Sequence, residues 1–261
     1  GEKRCAVKDL TYVSEVGRPV LNGINFNLYA GEVLGIAGVE GNGQTELVEI
    51  MTGLRKAAGG EIIVYDQNIA GNNPRDTRML NISHIPEDRL TNGVAVRSSI
   101  KENLIVDRYF RKPFKKGIFL NKKEIDGSTN ELIQQFGIKT PNGDLPVSSL
   151  SGGNMQKVVV AREFSSNPYI LIASQPTRGI DVGATEFIRE QLVVKRTEGT
   201  AVLLVSADLG EVMSLSDRII TLYEGKVTGV FPDASQVTEE QLGTYMLGVN
   251  QMTPEEMEAK L

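Results

Sequence analysis

Residues 38–45 of this sequence read G-V-E-G-N-G-Q-T and follow a short apolar run, Val33–Ala37. Glycines at this spacing let successive backbone N–H groups curve around phosphate oxygens, and a following helix adds its positive N-terminal end. In the usual pattern a lysine precedes the hydroxyl residue and reaches the terminal phosphates. Here Thr45 supplies the hydroxyl, but Gln44 stands where the lysine belongs. The motif therefore predicts a phosphate loop without its charge, with an ordinary glycine turn as the alternative.

A second glycine motif occupies residues 150–157, which read L-S-G-G-N-M-Q-K. Ser151 can cap a helix, while Gly152 and Gly153 let a phosphate approach the backbone closely. A third stretch follows the apolar run at 169–173 and reads S-Q-P-T-R-G-I-D over residues 174–181. Taken alone, the octet fits an ordinary capped helix, so the order and spacing of the three stretches carry the interpretation.

In order and spacing the three stretches resemble the nucleotide-binding domains of ABC transporters, and the resemblance extends over residues 3–248. The octet at 150–157 resembles the ABC signature, and residues 174–181 stand where the family has the end of the Walker B strand and the D-loop. The string L-I-A-S-Q-P-T-R-G-I-D-V-G-A-T-E-F at 171–187 looks like the second nucleotide-binding half of nucleoside importer ATPase subunits. That group is a branch of the simple-sugar importers, and its subunits carry two such domains in tandem.

The resemblance implies a nucleotide site in the phosphate loop. Its expected members are Gly38, Glu40, Gly41, Asn42, Gly43, Gln44 and Thr45. Hydrolysis in the family requires a phosphate-loop lysine, a Q-loop glutamine, a Walker B aspartate, a catalytic glutamate and a switch histidine. By alignment with the family, none is present, and the substituted positions are Gln44, Glu87, Ser174, Gln175 and Ala207.

These substitutions lead us to expect weak binding of ATP or ADP and impaired hydrolysis in this domain. Magnesium is expected to bind weakly or not at all, with Thr45 as its candidate ligand. The alternative source of metal ligands is a different geometry that uses Glu87, Asp88 or Asp181.

In ABC proteins each ATP site combines the phosphate loop of one domain with the signature helix of the facing domain. The resemblance therefore implies that the signature helix of this chain completes the ATP site of a facing domain. The residues expected to complete that site are Leu150, Ser151, Gly152, Gly153 and Asn154, with Asp181 in the D-loop. The implied partners are a second nucleotide-binding domain in the N-terminal half of the same polypeptide, integral membrane permease subunits and, indirectly, an extracytoplasmic substrate-binding lipoprotein. The start at Gly1 fits a piece of a longer polypeptide, and the expected location is the cytoplasmic face of the bacterial inner membrane.

Hydrophobic periodicity places the motifs on alternating strands and helices. Strands are predicted at 6–13, 25–28, 33–37, 61–65, 170–173 and 201–205, and helices at 44–51, 101–108, 123–136, 185–196, near 211 and at 238–246. Such alternation implies right-handed crossovers and a parallel sheet.

The predicted fold class is α/β, a P-loop NTPase of the ABC nucleotide-binding type. It has a mainly parallel sheet core, an N-terminal antiparallel β subdomain and an inserted α-helical subdomain. The predicted division assigns 1–88 and 166–230 to the core with its β subdomain, 89–165 to the helical signature subdomain, and 231–261 to a C-terminal tail. The acidic end of that tail, residues 254–261, is expected to be solvated or frayed.

Composition narrows the class of protein further. The chain has 261 residues and a net charge of -5, which argues against a nucleic-acid partner because tracking a phosphate backbone needs a basic face. Its single cysteine excludes an internal disulfide and fits a reducing compartment. The longest apolar runs have the length of strands and fall short of a membrane span.

Several side chains keep two interpretations. Tyr12 is either a platform for an adenine base or a strand residue packed on the sheet, and His84 fits a strand end or surface position better than a ligand. Phe110, Phe114 and Phe119, interpreted as exposed among basic residues, either dock on membrane subunits or pack within the helical insertion.

The function also keeps alternatives. The chain could be a hydrolysis-competent domain of the same importer family in which the substituted residues compensate. A different class is a non-transport P-loop ABC factor, although such factors usually carry intact Walker B acids and basic or coiled-coil insertions. A third alternative is that this half has a purely regulatory or scaffolding role.

Overall fold

The computed structural model describes residues 1–260, and contacts group them into two units. The first unit contains residues 1–84, 168–175 and those from 192 onward, and the second contains 85–167 and 176–191. This grouping differs from the predicted division at both boundaries of the helical segment, since 85–88 and 166–167 fall in the second unit, and in two longer stretches. Residues 176–191 group with the helical segment, and residues after 230 group with the sheet core because they bury apolar side chains against it.

The strands, in chain order, are β1 (Lys3–Val13), β2 (Pro19–Tyr29), β3 (Val33–Ala37), β4 (Gly59–Val64), β5 (Gln67–Asn68), β6 (Ile82–Ile85), β7 (Lys115–Lys116), β8 (Phe119–Leu120), β9 (Ile170–Ser174), β10 (Ala201–Ser206), β11 (Arg218–Tyr223) and β12 (Lys226–Phe231).

The α-helices are α1 (Gln44–Met51), α2 (Pro74–Met79), α3 (Ile100–Ile105), α4 (Lys122–Gln135), α5 (Gly152–Ser165), α6 (Val182–Thr197), α7 (Leu209–Leu215), α8 (Glu239–Met246) and α9 (Pro254–Glu258). A π-helical turn spans Arg89–Gly93, and 3-10 turns span Val147–Ser149 and Ala234–Gln236. None of the helices in residues 1–260 combines the length and apolar character needed to cross a bilayer.

The first unit is built on a six-stranded sheet in the order β12-β11-β3-β10-β9-β6. β3 pairs in parallel with β10 and β11, and β10 pairs in parallel with β9. Every residue of β3, β9 and β10 is buried, so these strands do not alternate between apolar and polar residues, and their only polar side chains are the terminal Ser174 and Ser206. The predicted α/β fold with a mainly parallel core is confirmed. β12 is antiparallel to β11, and sequence analysis did not identify β6, β11 or β12.

A second sheet in the same unit has the order β2-β1-β4-β5, with antiparallel pairing between β1 and β2, β1 and β4, and β4 and β5. This is the predicted N-terminal antiparallel β subdomain, and it is confirmed. Leu10, Ile24 and Phe26 of this sheet belong to the same apolar cluster as Leu34 and Leu203 of the parallel strands. One shared core therefore fixes β3, and with it the loop that follows β3.

The second unit is mainly helical and packs around aromatic rings. Phe136, at the end of α4, makes edge contacts with Phe164 of α5 and Phe187 of α6. The interpretation of all three insertion phenylalanines as exposed is wrong for Phe114, which is buried in a cluster with two isoleucines of α3 and α4. Phe119, by contrast, is 73% exposed.

The C-terminal segment forms two helices, of which α8 covers the helix predicted at 238–246. Leu242 and Met246 of α8 are buried in a cluster with Phe231. The acidic end forms α9, which begins with a capping box in which Thr253 and Glu256 exchange hydrogen bonds. Most of α9 is exposed, as expected, but Met257 packs against the main core. Leu261 lies outside the described residues.

Cys5 provides a test of the core, since it lies in β1 with 1% of its surface exposed. Burial raises the pKa of its thiol to about 12. Because the thiolate is the reactive form, we expect a thiol reagent at mildly alkaline pH to label the folded chain more than roughly 100-fold more slowly than the urea-unfolded chain. The unfolded chain serves as the control, with one reactive thiol per molecule. Equal rates in both states would contradict the placement of β1.

Candidate functional site

The phosphate loop connects β3 to α1 and takes its shape from glycines. Gly41 and Gly43 have φ values of 88° and 103°, a region that side chains disfavour. Gly38 is required for a different reason, because a Cβ there would lie 2.4 Å from Nε2 of Gln44 and 2.8 Å from the Leu222 carbonyl oxygen. The loop and the first turn of α1 contain all the residues predicted for it, namely Gly38, Glu40, Gly41, Asn42, Gly43, Gln44 and Thr45.

The side chain of Gln44 folds back into this loop. Its Nε2 donates to the Val39 carbonyl at 3.0 Å, and its Oε1 accepts the Asn42 backbone N–H at 3.1 Å. Only 9% of Gln44 is exposed, whereas Thr45, the next residue, is exposed. The Asn42 N–H is a backbone donor of the kind that binds phosphate in such loops, and here it already has an acceptor within the protein.

Asn42 fastens the loop to the turn between β11 and β12. Its Oδ1 accepts the Glu224 N–H at 2.8 Å, and its carbonyl accepts the Gly225 N–H at 3.0 Å. Its Nδ2 also donates to Val39 at 2.9 Å, and the Gly225 carbonyl accepts the Asn22 N–H at 2.8 Å. The loop is therefore held by the two sheets of its own unit.

A second glutamine connects the ends of β9 and β10. Gln175 follows the buried Ser174 and has a φ of 46°, unusual for a residue with a side chain. Its N–H donates to the Val205 carbonyl at 2.7 Å, and its Oε1 accepts the Ala207 N–H at 3.1 Å. The structure thus brings Gln175 and Ala207 together, two residues predicted to stand at the catalytic-glutamate and switch-histidine positions, through a hydrogen bond to a neutral amide.

Tyr12 lies beneath an arginine. Its ring is buried, its hydroxyl accepts a hydrogen bond from Nη1 of Arg55, and the Arg55 Cζ lies 4.9 Å from the ring centroid. A 2.6 Å hydrogen bond to Glu49, together with the bond to Tyr12, keeps the pKa of Arg55 above its usual value despite partial desolvation. This geometry favours the packed interpretation of Tyr12 over the adenine platform.

In the second unit, Ser151 caps the signature helix α5. Its Oγ accepts the Asn154 N–H at 3.4 Å and the Asn154 Nδ2 at 2.9 Å. The Asn154 Oδ1 in turn accepts the Lys139 N–H at 2.8 Å, and Leu150 is buried. The residues predicted for the signature therefore form one capped helix start with its glycine amides at the end.

The D-loop aspartate lies beside this helix start. Asp181 accepts the Ala184 N–H at 2.9 Å and so caps α6. A Cβ added to Gly153 would lie 2.8 Å from the Asp181 Oδ2, and one added to Gly152 would lie 2.9 Å from Nη2 of Arg89. Both signature glycines are needed because charged groups occupy the space that a side chain would fill.

The segment after β6, which contains Arg89, also holds two carboxylates. Glu87, at the position aligned with the Q-loop, pairs with Arg178. Asp88 caps the π-helical turn, and hydrogen bonds from the Thr91 hydroxyl and the Leu90 N–H lower the pKa of Asp88 below its ordinary range. Glu87, Asp88 and Asp181, considered above as alternative metal ligands, therefore each have a protein partner. Across residues 1–260 no group of three His, Cys, Asp or Glu side chains is arranged to hold a metal.

Sequence reasoning missed two parts of these networks. The turn at Glu224–Gly225 could have been found, because a glycine between two apolar runs indicates a hairpin. The contacts of Arg89 had no local signal, since its partners lie 89 and 90 residues further along the chain.

Substitution of Gly225 tests how the phosphate loop is held. Its φ is 71°, and an added Cβ would lie 1.9 Å from the Val20 carbonyl oxygen. We expect Gly225→Ala to lower the free energy of unfolding by more than about 1 kcal/mol in urea titrations, because the backbone must move. The matched control is Gly243→Ala in α8, where no atom lies within 4 Å and alanine should stabilise by about 0.5–1 kcal/mol. A neutral Gly225→Ala would contradict the packed turn.

The sequence profile of the ABC transporter family matches residues 21–178. The chain is 39% identical over 244 residues to the nucleoside import ATP-binding protein NupA of Lactococcus lactis, covering 94% of this chain and 48% of that protein. It is 39% identical to the guanosine import ATP-binding protein NupO of Bacillus subtilis, covering 96% and 49%. It is 38% identical to the glucose import ATP-binding protein TsgD13 of Haloferax volcanii, covering 95% and 45%. The chain thus spans about half the length of the curated relatives it matches.

Solved structures share the fold. An ATP-binding cassette of an ABC transporter in its ADP conformation superposes with a TM-score of 0.75 at 18% identity, covering 99% of this chain and 98% of that one. The dimeric post-hydrolysis state of a cassette bound to ADP and Pi superposes with a TM-score of 0.73 at 22% identity, covering 87% and 97%. At these identities the likeness concerns the fold alone. The profile match and the relatives show that the chain belongs to the ABC transporter family, as an ATP-binding domain similar to those of nucleoside and sugar import proteins.

Proposed function

We propose that this domain serves an importer of nucleosides or simple sugars in which its own ATP site is degenerate and its signature helix completes the site of a partner domain. Nucleosides are the first choice, because two of the relatives described above are named for nucleoside and guanosine import. The relative named for glucose import keeps sugars as the second choice.

The observation that carries the proposal is the position of the Gln44 carboxamide. It lies inside the phosphate loop and uses both of its polar atoms on that loop, one on Val39 and one on Asn42. A phosphate group could take this place only if the carboxamide left and both loop groups changed partners. An amide also lacks the positive charge that a lysine gives to the terminal phosphates.

The neutral residue predicted at the catalytic-glutamate position also supports impaired hydrolysis. Removal of one preorganised electrostatic group typically costs about 10²- to 10³-fold in rate, and combined losses do not multiply. Here Gln175, which follows β9, is neutral and is hydrogen-bonded to the end of β10. Its backbone N–H donates to the Val205 carbonyl, and its Oε1 accepts the Ala207 N–H. It cannot act as a general base for water, because an amide does not take up a proton near neutral pH.

Magnesium does not fit the residues at this site. Thr45 offers an exposed hydroxyl, but the end of β9 offers only the neutral Ser174 and Gln175, where a hard cation prefers carboxylate oxygens. We therefore assign no metal-dependent step to this domain.

The signature helix, in contrast, has the features needed to bind an anion. Ser151 caps it, and the amides of Gly152 and Gly153, residues that carry no side chain of their own, lie at its positive end. We place the partner ATP-binding domain in the remaining half of the same polypeptide, because the relatives are about twice as long as the aligned region. Permease subunits at the cytoplasmic face of the membrane and an external receptor complete the proposed transporter.

The chain itself tests whether its loop is degenerate. We expect it to hydrolyse no ATP above a protein-free blank, because Gln44, Ser174 and Gln175 are all neutral. Gln44→Lys should raise the affinity for a fluorescent ATP analogue yet leave hydrolysis absent. Gln67→Lys, at an exposed position of β5, adds the same charge outside the loop and should leave the affinity unchanged. Brisk magnesium-dependent hydrolysis by the unmodified chain would refute the proposal.

The role of the signature helix is tested in the complete ATPase subunit assembled with its permease. We expect Ser151→Arg to abolish ATP hydrolysis, since a long cation would fill the space in front of the glycine amides. Ser148→Arg, at an exposed position in the preceding 3-10 turn, introduces the same side chain and should retain most of the activity. Full activity of Ser151→Arg would exclude this role, whatever the result on the phosphate loop.

A further inference from the structure

One arginine of the helical unit contacts both the D-loop segment and the start of the signature helix. The Arg89 Nη1 donates to the Arg178 carbonyl at 3.0 Å, and its Nη2 donates to the Gly179 carbonyl at 3.2 Å. The same Nη2 lies 2.9 Å from the place that a Cβ of Gly152 would occupy. The guanidinium therefore fixes two consecutive carbonyls while it lies against a signature glycine.

The backbone of Arg89 is itself held in place. Arg89 is the first residue of the π-helical turn, and its carbonyl accepts the Val94 N–H at 2.8 Å. Asp88 caps the same turn through the Leu90 N–H at 2.9 Å. π-helical turns are uncommon and occur often at functional sites. The guanidinium thus extends from an anchored turn rather than from a free loop.

A second link joins the same two segments. The side chain of Arg178, whose carbonyl Arg89 holds, pairs with Glu87. Three residues beyond Arg178, the Asp181 carboxylate lies against Gly153. The segment 87–89 therefore holds the D-loop at its backbone and at a side chain, and the D-loop in turn lies against the signature glycines.

Opposing charges act on Arg89. The N-terminus of a helix carries a partial positive charge, so a guanidinium beside the start of α5 is repelled by it. The Nε of Arg89 is buried and makes no hydrogen bond within the described residues, which adds a further cost. The Asp181 carboxylate against Gly153 and the neighbouring Asp88 offset part of this repulsion, and a phosphate at the amides of Gly152 and Gly153 would offset more of it.

We propose that Arg89 is a positioning residue for the composite ATP site, which holds the signature amides and the D-loop in the orientation that receives the partner's terminal phosphate. The proposal rests on the proposed function of the signature helix. Arginine is required because its planar fork reaches two adjacent carbonyls at once, whereas lysine offers a single ammonium group.

The first test measures local order in the chain on its own, by amide hydrogen exchange with mass spectrometry. We expect Arg89→Ala to speed exchange in the peptides that contain residues 151–154 and 178–181 by at least about tenfold, with an intermediate effect for Arg89→Lys. Arg97→Ala removes an exposed arginine from the same unit and should leave both peptides unchanged. Unchanged exchange in Arg89→Ala would overturn the proposal.

The second test uses the complete ATPase subunit with its permease and separates positioning from binding. We expect Arg89→Ala to lower kcat for ATP by about tenfold or more, while the Kd for ADP at the partner site stays the same, because ADP lacks the terminal phosphate. Arg89→Lys should recover part of kcat. An unchanged kcat, or an equal loss of ADP affinity, would overturn the positioning role.

The two proposals fail in different ways. If Ser151→Arg keeps full hydrolysis, the signature helix does not serve a partner site and the proposed function fails. If Ser151→Arg abolishes hydrolysis while Arg89→Ala leaves kcat and exchange unaltered, only the role of Arg89 fails.

Discussion

The phosphate loop depends on one constraint, which is that its backbone N–H groups must find acceptors whether or not a nucleotide is bound. In this chain the carboxamide of Gln44 provides the acceptor for one of these groups, the Asn42 N–H, and it also donates to the Val39 carbonyl. The glycines that shape the loop are retained, so the loop keeps its form without its charge. The bonds from Asn42 to the Glu224–Gly225 turn make this form a property of the folded sheets.

The two units therefore differ in how they treat the machinery of the family. In the first unit, the Gln44 carboxamide makes two hydrogen bonds within its loop, and the side-chain oxygen of the neutral Gln175 accepts one from Ala207. In the second unit, the charged groups of Arg89 and Asp181 lie against Gly152 and Gly153 at the start of α5. Neutral residues at its own ATP site and charged residues at its signature helix are what the proposed function requires of a domain that completes only its partner's ATP site.

Much of the fold could be predicted from the sequence, because burial imposes periodicity. The bounds of β3 and α1 match the prediction, since an apolar run stops at Gly38 and a helical pattern begins six residues after that glycine. The site residues fall on the loops where the motifs placed them, although their nucleotide chemistry stays a prediction. The contacts that shape the site could not be predicted. Asn42 and Glu224 are 182 residues apart, and Arg89 and Arg178 are 89 apart, so no local pattern links them.

The fastening of Asn42 also has an evolutionary consequence. If lysine replaced Gln44, the Asn42 N–H would lose its acceptor, while Ser174 and Gln175 would stay neutral. A lysine at this position alone thus removes a hydrogen bond from the loop without adding a carboxylate at the end of β9. Under the proposed function, a gain in hydrolysis could offset that loss only if several of these positions changed together.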